Sequence, residues 1–139
     1  MTDHSQLPPP AAPAVQASDD RTVPVIAYAL YLGGFATGFT PLIGVIIAHA
    51  GLAGASPFVR SHYEFLVRTF WIAVAALIAG ALAMCVGFIL SFVLIGIPIV
   101  WAAGAFMSLV GVWFAIRSVV GLVYVVQGRA YPNPRTWLI

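Results

Sequence analysis

Forty-eight consecutive residues, Thr69 to Ile116, contain no Asp, Glu, Lys, Arg or His. One bilayer crossing takes about 20 mostly apolar residues for about 30 Å of hydrocarbon. The block is too long for one crossing and long enough for two. It predicts a transmembrane helical hairpin. The whole chain agrees, being 62% hydrophobic and 7% charged, against about 25% charged in soluble domains. Its mean hydropathy is +1.02. A soluble domain of 139 residues has too few charges here to cover its apolar surface, so the expected solvent is the lipid bilayer.

All six basic residues are Arg, scattered along the chain, and the net charge is +2. Nucleic-acid binding needs a clustered basic face, so no nucleic-acid partner is expected. Residues 1–22 carry Pro8, Pro9, Pro10 and Pro13 among small and polar residues. They read as a disordered Pro-rich tail. No basic region precedes a short apolar core there, so it is not a standard secretory signal. Residues 23–139 form the one expected domain.

Within it, residues 25–50 read as a first span, kinked between Ala36 and Pro41 because proline removes a backbone donor. Gly34 and Gly38 form a small-residue pair that lets helices approach. Ser56 and Pro57 supply an N-cap and a first-turn proline. They open an amphipathic interfacial helix over 57–68, in which Arg60, Ser61, Glu64 and Arg68 share one arc. Spans follow at about 66–93 and 97–117, with the turn at Gly96-Ile97-Pro98 and Gly87 to Ser91 as the competing break. The last helix extends to about residue 127, where Gly128 ends it. The fold class is all-α: an integral-membrane three-helix bundle with an interfacial amphipathic helix.

Three spans place Arg60, Arg68, Arg117, Arg129 and Arg135 on one side and Arg21 alone on the other. The positive-inside rule then puts the N-terminus outside and the C-terminus in the cytoplasm. A four-segment reading, with the N-terminus inside, instead sets residues 1–22 beside the Arg cluster.

Catalytic and metal motifs are absent from the sequence. There is no P-loop, HExxH, nucleotide-binding glycine fingerprint or Cys/His ligand spacing. Four acids, Asp3, Asp19, Asp20 and Glu64, leave no paired carboxylates. No enzyme activity and no cofactor are expected. Cys85, the single cysteine, reads as a small core residue. The candidate site is an interfacial polar cluster of Arg60, His62, Glu64, Arg68 and Arg117, beside the packing and kink positions Gly34, Gly38 and Pro41. Glu64 is four residues from both Arg60 and Arg68. Arg117 reads most simply as an interfacial anchor, with a partnership to Glu64 as the sharper alternative. His62 is expected to bond a neighbouring backbone carbonyl or face headgroups. His49 reads as a capping or snorkelling residue, with a proton-relay role as the alternative.

Ser56-Pro57-Phe58-Val59-Arg60-Ser61-His62, the long hairpin, and Gly128 to Tyr131-Pro132 resemble a bacterial family of small three-span membrane proteins of unknown function. That family is distantly similar to the chloroplast inner-envelope import component of the Tic-twenty type. The resemblance covers about Ile26 to Trp137 and implies a bacterial inner-membrane location. The family has no established catalytic residues to carry over. Where it more often has Ala-x-Gln after the histidine, this chain has Tyr63, Glu64 and Phe65. The leading expectation is a non-enzymatic structural or interaction protein of the inner membrane, with a membrane-protein partner or a second copy. The alternative is a subunit of a transport or protein-translocation assembly, with His49, Pro41 and the glycine-rich first span lining a path.

Overall fold

The computed structural model describes residues 14–137. They form four α-helices: α1 (Ala14–Thr37), α2 (Thr40–Gly51), α3 (Pro57–Leu90) and α4 (Gly96–Val126), with a 3-10 turn at Ser91–Val93 between the last two. No strand occurs among the described residues.

Helix α1 begins at Ala14, nine residues inside the expected tail. The rest of that tail lies outside the described residues. Pro24 lies within the helix, where it forfeits one backbone bond without ending it.

The expected single span over 25–50 is corrected. Gly38 takes φ +79, a left-handed conformation that glycine adopts without steric cost. The chain reverses there. Gly38 N–H donates to Gly34 O at 2.7 Å, and Thr40 Oγ1 reaches back to Leu30 O at 2.8 Å. Pro41 sits in the first turn of α2, where its missing N–H costs nothing, so it starts a helix rather than kinking one. Gly34 faces the Pro41 ring and Gly44 faces the Tyr31 ring, so α1 and α2 are an antiparallel pair. Gly34 and Gly38 are therefore not one packing face: the first seats Pro41 and the second makes the turn.

The amphipathic stretch 57–68 and the following span are one continuous helix, α3. Ser56 caps it, its Oγ accepting from Val59 N–H at 3.4 Å. At 1.5 Å per residue, α3 is about 50 Å long and α4 about 46 Å. Both are long and apolar enough to cross a membrane, with mean hydropathies of 2.6 and 2.1 over their most apolar windows.

Helix α1 runs parallel to α3 and antiparallel to α4. Tyr28 meets His62 and Gly121, Tyr31 meets Leu66 and Phe114, and the Arg21 guanidinium lies over Gly128. Arg21 and Gly128 thus share one end of the bundle, against the three-span expectation that separated them. The α1–α2 pair stops partway along α3 and α4. Its tip overhangs an apolar cavity of about 450 Å³ that reaches Leu77 and Val110. Beyond that level α3 and α4 pack only on each other and the turn between them. Cys85 is exposed there rather than in the core.

The α3–α4 turn also differs from expectation. Its left-handed residue is Leu94, φ 64, while Gly96 already belongs to α4. A Cβ on Gly96 would strike Gly87 O and Ser91 N, and backbone atoms cannot rotate aside. Gly96→Ala is expected to cost about 2 kcal/mol. Leu94→Gly, which relieves left-handed strain of about 1–2 kcal/mol against a glycine entropy cost of about 0.5–1 kcal/mol, should be neutral or slightly stabilising. Thermal unfolding of the two variants in the same detergent checks the contrast.

Candidate functional site

The polar side chains gather at the end where α1 starts and α4 finishes. Helix α4 continues for nearly three turns past the uncharged block, and Arg117 opens that extension inside the bundle. Arg117 is fully buried. Its Nε donates to Thr69 Oγ1 at 3.0 Å and its Nη1 to Thr136 O at 3.2 Å. The guanidinium lies 4.2 Å from the Phe65 ring centroid and 4.9 Å from that of Trp113, as expected for a weakly hydrated planar cation. Arg117 is thus held by Thr69, Thr136 and two rings, while Glu64 pairs with Arg60 at 3.2 Å. The Arg117–Glu64 expectation is corrected accordingly. Both charges sit near one boundary, but Arg117 points inward and Glu64 outward.

His62, also fully buried, joins three segments. Its Nε2 is 3.0 Å from Arg129 O, and its Nδ1 is 3.3 Å from the Tyr28 hydroxyl. A carbonyl only accepts, so Nε2 carries the proton and Nδ1 accepts from Tyr28. The imidazole does bond a backbone carbonyl, but one 67 residues away in sequence rather than a neighbouring one.

Gly128, φ +70, ends α4 as its left-handed C′ residue. The chain then folds back over α3. Tyr131 N–H donates to Ser61 Oγ at 3.1 Å, and the Tyr131 ring stacks on Phe65 at 3.9 Å. Burial pushes the Tyr131 hydroxyl above the ordinary tyrosine range, with the Arg117 charge opposing. His49 is exposed on α2 and bonds Val45 O of its own helix at 3.2 Å. Arg68 lies 5.5 Å from the Trp137 ring centroid.

Of the predicted cluster, the structure brings His62 and Arg117 into one buried network and leaves Arg60 and Glu64 as a surface pair. Sequence reasoning missed Tyr28, Tyr31, Ser61, Thr69, Tyr131 and Thr136. The available signal was the pair Tyr28 and Tyr31 in an apolar helix, since a buried tyrosine hydroxyl needs a partner. Tyr31 donates to Leu66 O at 2.8 Å. Chemically, Tyr31, His62, Thr69, Ser118 and the Nε and Nη1 of Arg117 are engaged with carbonyls and hydroxyls within the chain, whereas Arg68 Nε has no such partner among the described residues. No group of three His, Cys, Asp or Glu residues that could hold a metal occurs among the described residues. The arrangement clamps residues 129–137 and α1 onto α3.

That clamp yields an expected contrast. His62→Ala removes two buried hydrogen bonds and a ring, and should cost about 2–3 kcal/mol. Glu64→Ala removes a surface pair and should cost under about 0.5 kcal/mol. Denaturant midpoints of the two variants check the order.

No known protein family, curated protein or solved structure matches this chain.

Proposed function

We propose that this is an integral membrane protein in which α3 and α4 cross the bilayer, while α1–α2 enters and leaves on one side. One observation carries the reading. The most apolar windows of α3 and α4 are only 17% and 28% buried within the protein. The core helix of a soluble protein would be mostly covered, whereas lipid can cover these.

In this arrangement all six Arg residues lie on the side of the two chain ends, and the α3–α4 turn carries none. The positive-inside rule then favours the cytoplasm for both ends. A bacterial inner-membrane location is part of the proposal, resting only on the motif resemblance of residues 56–62 and 128–132.

The role we propose is non-enzymatic: a membrane scaffold that acts through contacts with other membrane components. The buried polar groups are engaged in holding the fold. The path reading gains no support from its own residues, since Pro41 packs on Gly34 and His49 faces outward. An import or assembly role of the Tic-twenty kind would be one form of this scaffold, and pull-down in mild detergent tests for the partner.

Topology reporters fused to each end give the direct test. Both should report cytoplasm, and a cysteine at Leu94 should react with an impermeant thiol reagent from the other face. Opposite signals from the two ends would overturn the arrangement.

A further inference from the structure

We propose that the groove running down α3 from Arg68 binds an anionic glycerophospholipid, headgroup phosphate on Arg68 and one acyl chain below it. This rests on the membrane reading above. The groove has a volume of about 560 Å³ and is lined by Arg68, Trp71, Ile72, Ala75, Ala76 and Trp137. Five of these six recur at i, i+3, i+4, i+7 and i+8 on one helix, so they form one continuous stripe. Arg68 heads it. The next residue, Thr69, begins the uncharged block. Arg68 therefore stands at the hydrocarbon boundary, the level of lipid phosphates, with about 12 Å of apolar wall beneath it. Trp71 and Trp137 flank it, a residue type enriched at that level.

The headgroup end has unmet bonding capacity. Arg68 Nε is buried and has no hydrogen-bond partner among the described residues. An orphaned buried donor costs stability until something accepts from it. Above the groove lies a notch of about 260 Å³ lined by Arg68, Arg135 and Glu64 together with Leu52, Val67 and Pro134. The Glu64 carboxylate bonds Arg60, which leaves Arg68 and Arg135 with a positive excess. A phosphate with an uncharged headgroup substituent balances that excess, and accepts from Nε once the half-buried Arg68 side chain turns to present it. A zwitterionic headgroup returns a positive charge to the same place. The two-part geometry, cation above and apolar stripe below, selects a lipid over a free phosphate, which would leave the stripe uncovered.

The full chain is first floated with phosphatidylcholine vesicles, which tests the membrane reading by itself. Native mass spectrometry from detergent then counts bound lipid in an equal mixture of phosphatidylglycerol and phosphatidylcholine. The wild type is expected to prefer phosphatidylglycerol by about fivefold, the effect of one basic side chain near a membrane surface. Arg68→Gln and Ala75→Trp, which remove the cation and fill the stripe, should each bring the ratio to near one. Arg129→Gln, at an exposed side chain that lies over Tyr124 and lines neither the groove nor the notch, should leave it unchanged. Unaltered preference in Arg68→Gln overturns the site, as does an equal loss in Arg129→Gln, which would mean diffuse surface attraction. Unaltered preference in Ala75→Trp, or displacement by millimolar inorganic phosphate, overturns the lipid assignment in favour of a bare anion site. If Arg68→Gln does not fold, Arg68→Lys, which retains the charge but loses Nε, should lower the preference. Undiminished preference in that variant overturns the role of Nε.

Discussion

Arg117→Ala is expected to lower the unfolding free energy by about 3–4 kcal/mol, whereas Arg117→Met should cost about 1 kcal/mol or less. The alanine variant removes the filling between the Phe65 and Trp113 rings and leaves a cavity at a fully buried position. It also deletes the donors to Thr69 Oγ1 and Thr136 O. Each cation–ring contact contributes about 0.5–2 kcal/mol, and each hydrogen bond to a charged group about 1.5–3 kcal/mol. The desolvation cost of the buried cation offsets much of that sum. Methionine keeps the volume without that cost, so the loss should largely disappear. Both variants release the anchor on Thr136, so trypsin should cut after Arg129 and Arg135 faster in each. For a chain of this length the alanine effect corresponds to about 10 °C in Tm. Equal destabilisation by alanine and methionine would show that the charge, rather than the packing, holds the site.

Much of the long helical pair was legible because its signals are local. An uncharged block of this length can form little else, and Ser56-Pro57 supplies cap and first turn within two residues. Gly128 sits where a left-handed residue must end α4. The reversal at Gly38 was harder to read, because hydropathy runs unbroken across it. Thr40-Pro41 repeats the pattern of Ser56-Pro57, a hydroxyl residue followed by proline at a helix start, but in an apolar run the proline reads as a kink. The same difficulty hid the shared end of the bundle: once α1–α2 reverses, every later assignment of sides changes. In the site, Arg60–Glu64 follows from i,i+4 spacing. The His62–Arg129 and Arg117–Thr136 bonds join residues 67 and 19 positions apart. Such contacts depend on how three helices pack, and no periodicity within one helix encodes them. The register of Tyr28 against Gly121 decides which polar groups meet, and that is a tertiary property.

The reversal itself has a sharp test in two adjacent glycines. A side chain on Gly34 would run into the Pro41 ring, whereas a Cβ on Gly33 comes no closer than 3.4 Å to Thr40 Oγ1. Both residues lie in α1, so intrinsic helix propensity favours alanine over glycine at either one by about 1 kcal/mol. At Gly33 that gain should survive, and Gly33→Ala should be neutral or stabilise. At Gly34 the proline ring is tied to the α2 backbone and cannot swing away, so the two helices must separate. Gly34→Leu is expected to cost about 3 kcal/mol, the upper end for overpacking. The damage should be local. Amide exchange should quicken over residues 38–51 while residues 75–90 and 97–110, which the hairpin does not cover, keep their protection. Had residues 25–50 formed one kinked span, Gly34 and Pro41 would stand about 10 Å apart along a single helix. Leucine at position 34 would then disturb the packing of that span on the other helices, and exchange would quicken along α3 and α4 as well. Confinement of the faster exchange to residues 38–51, set beside a neutral or stabilising Gly33→Ala, therefore separates a hairpin that returns to its starting side from a helix that crosses.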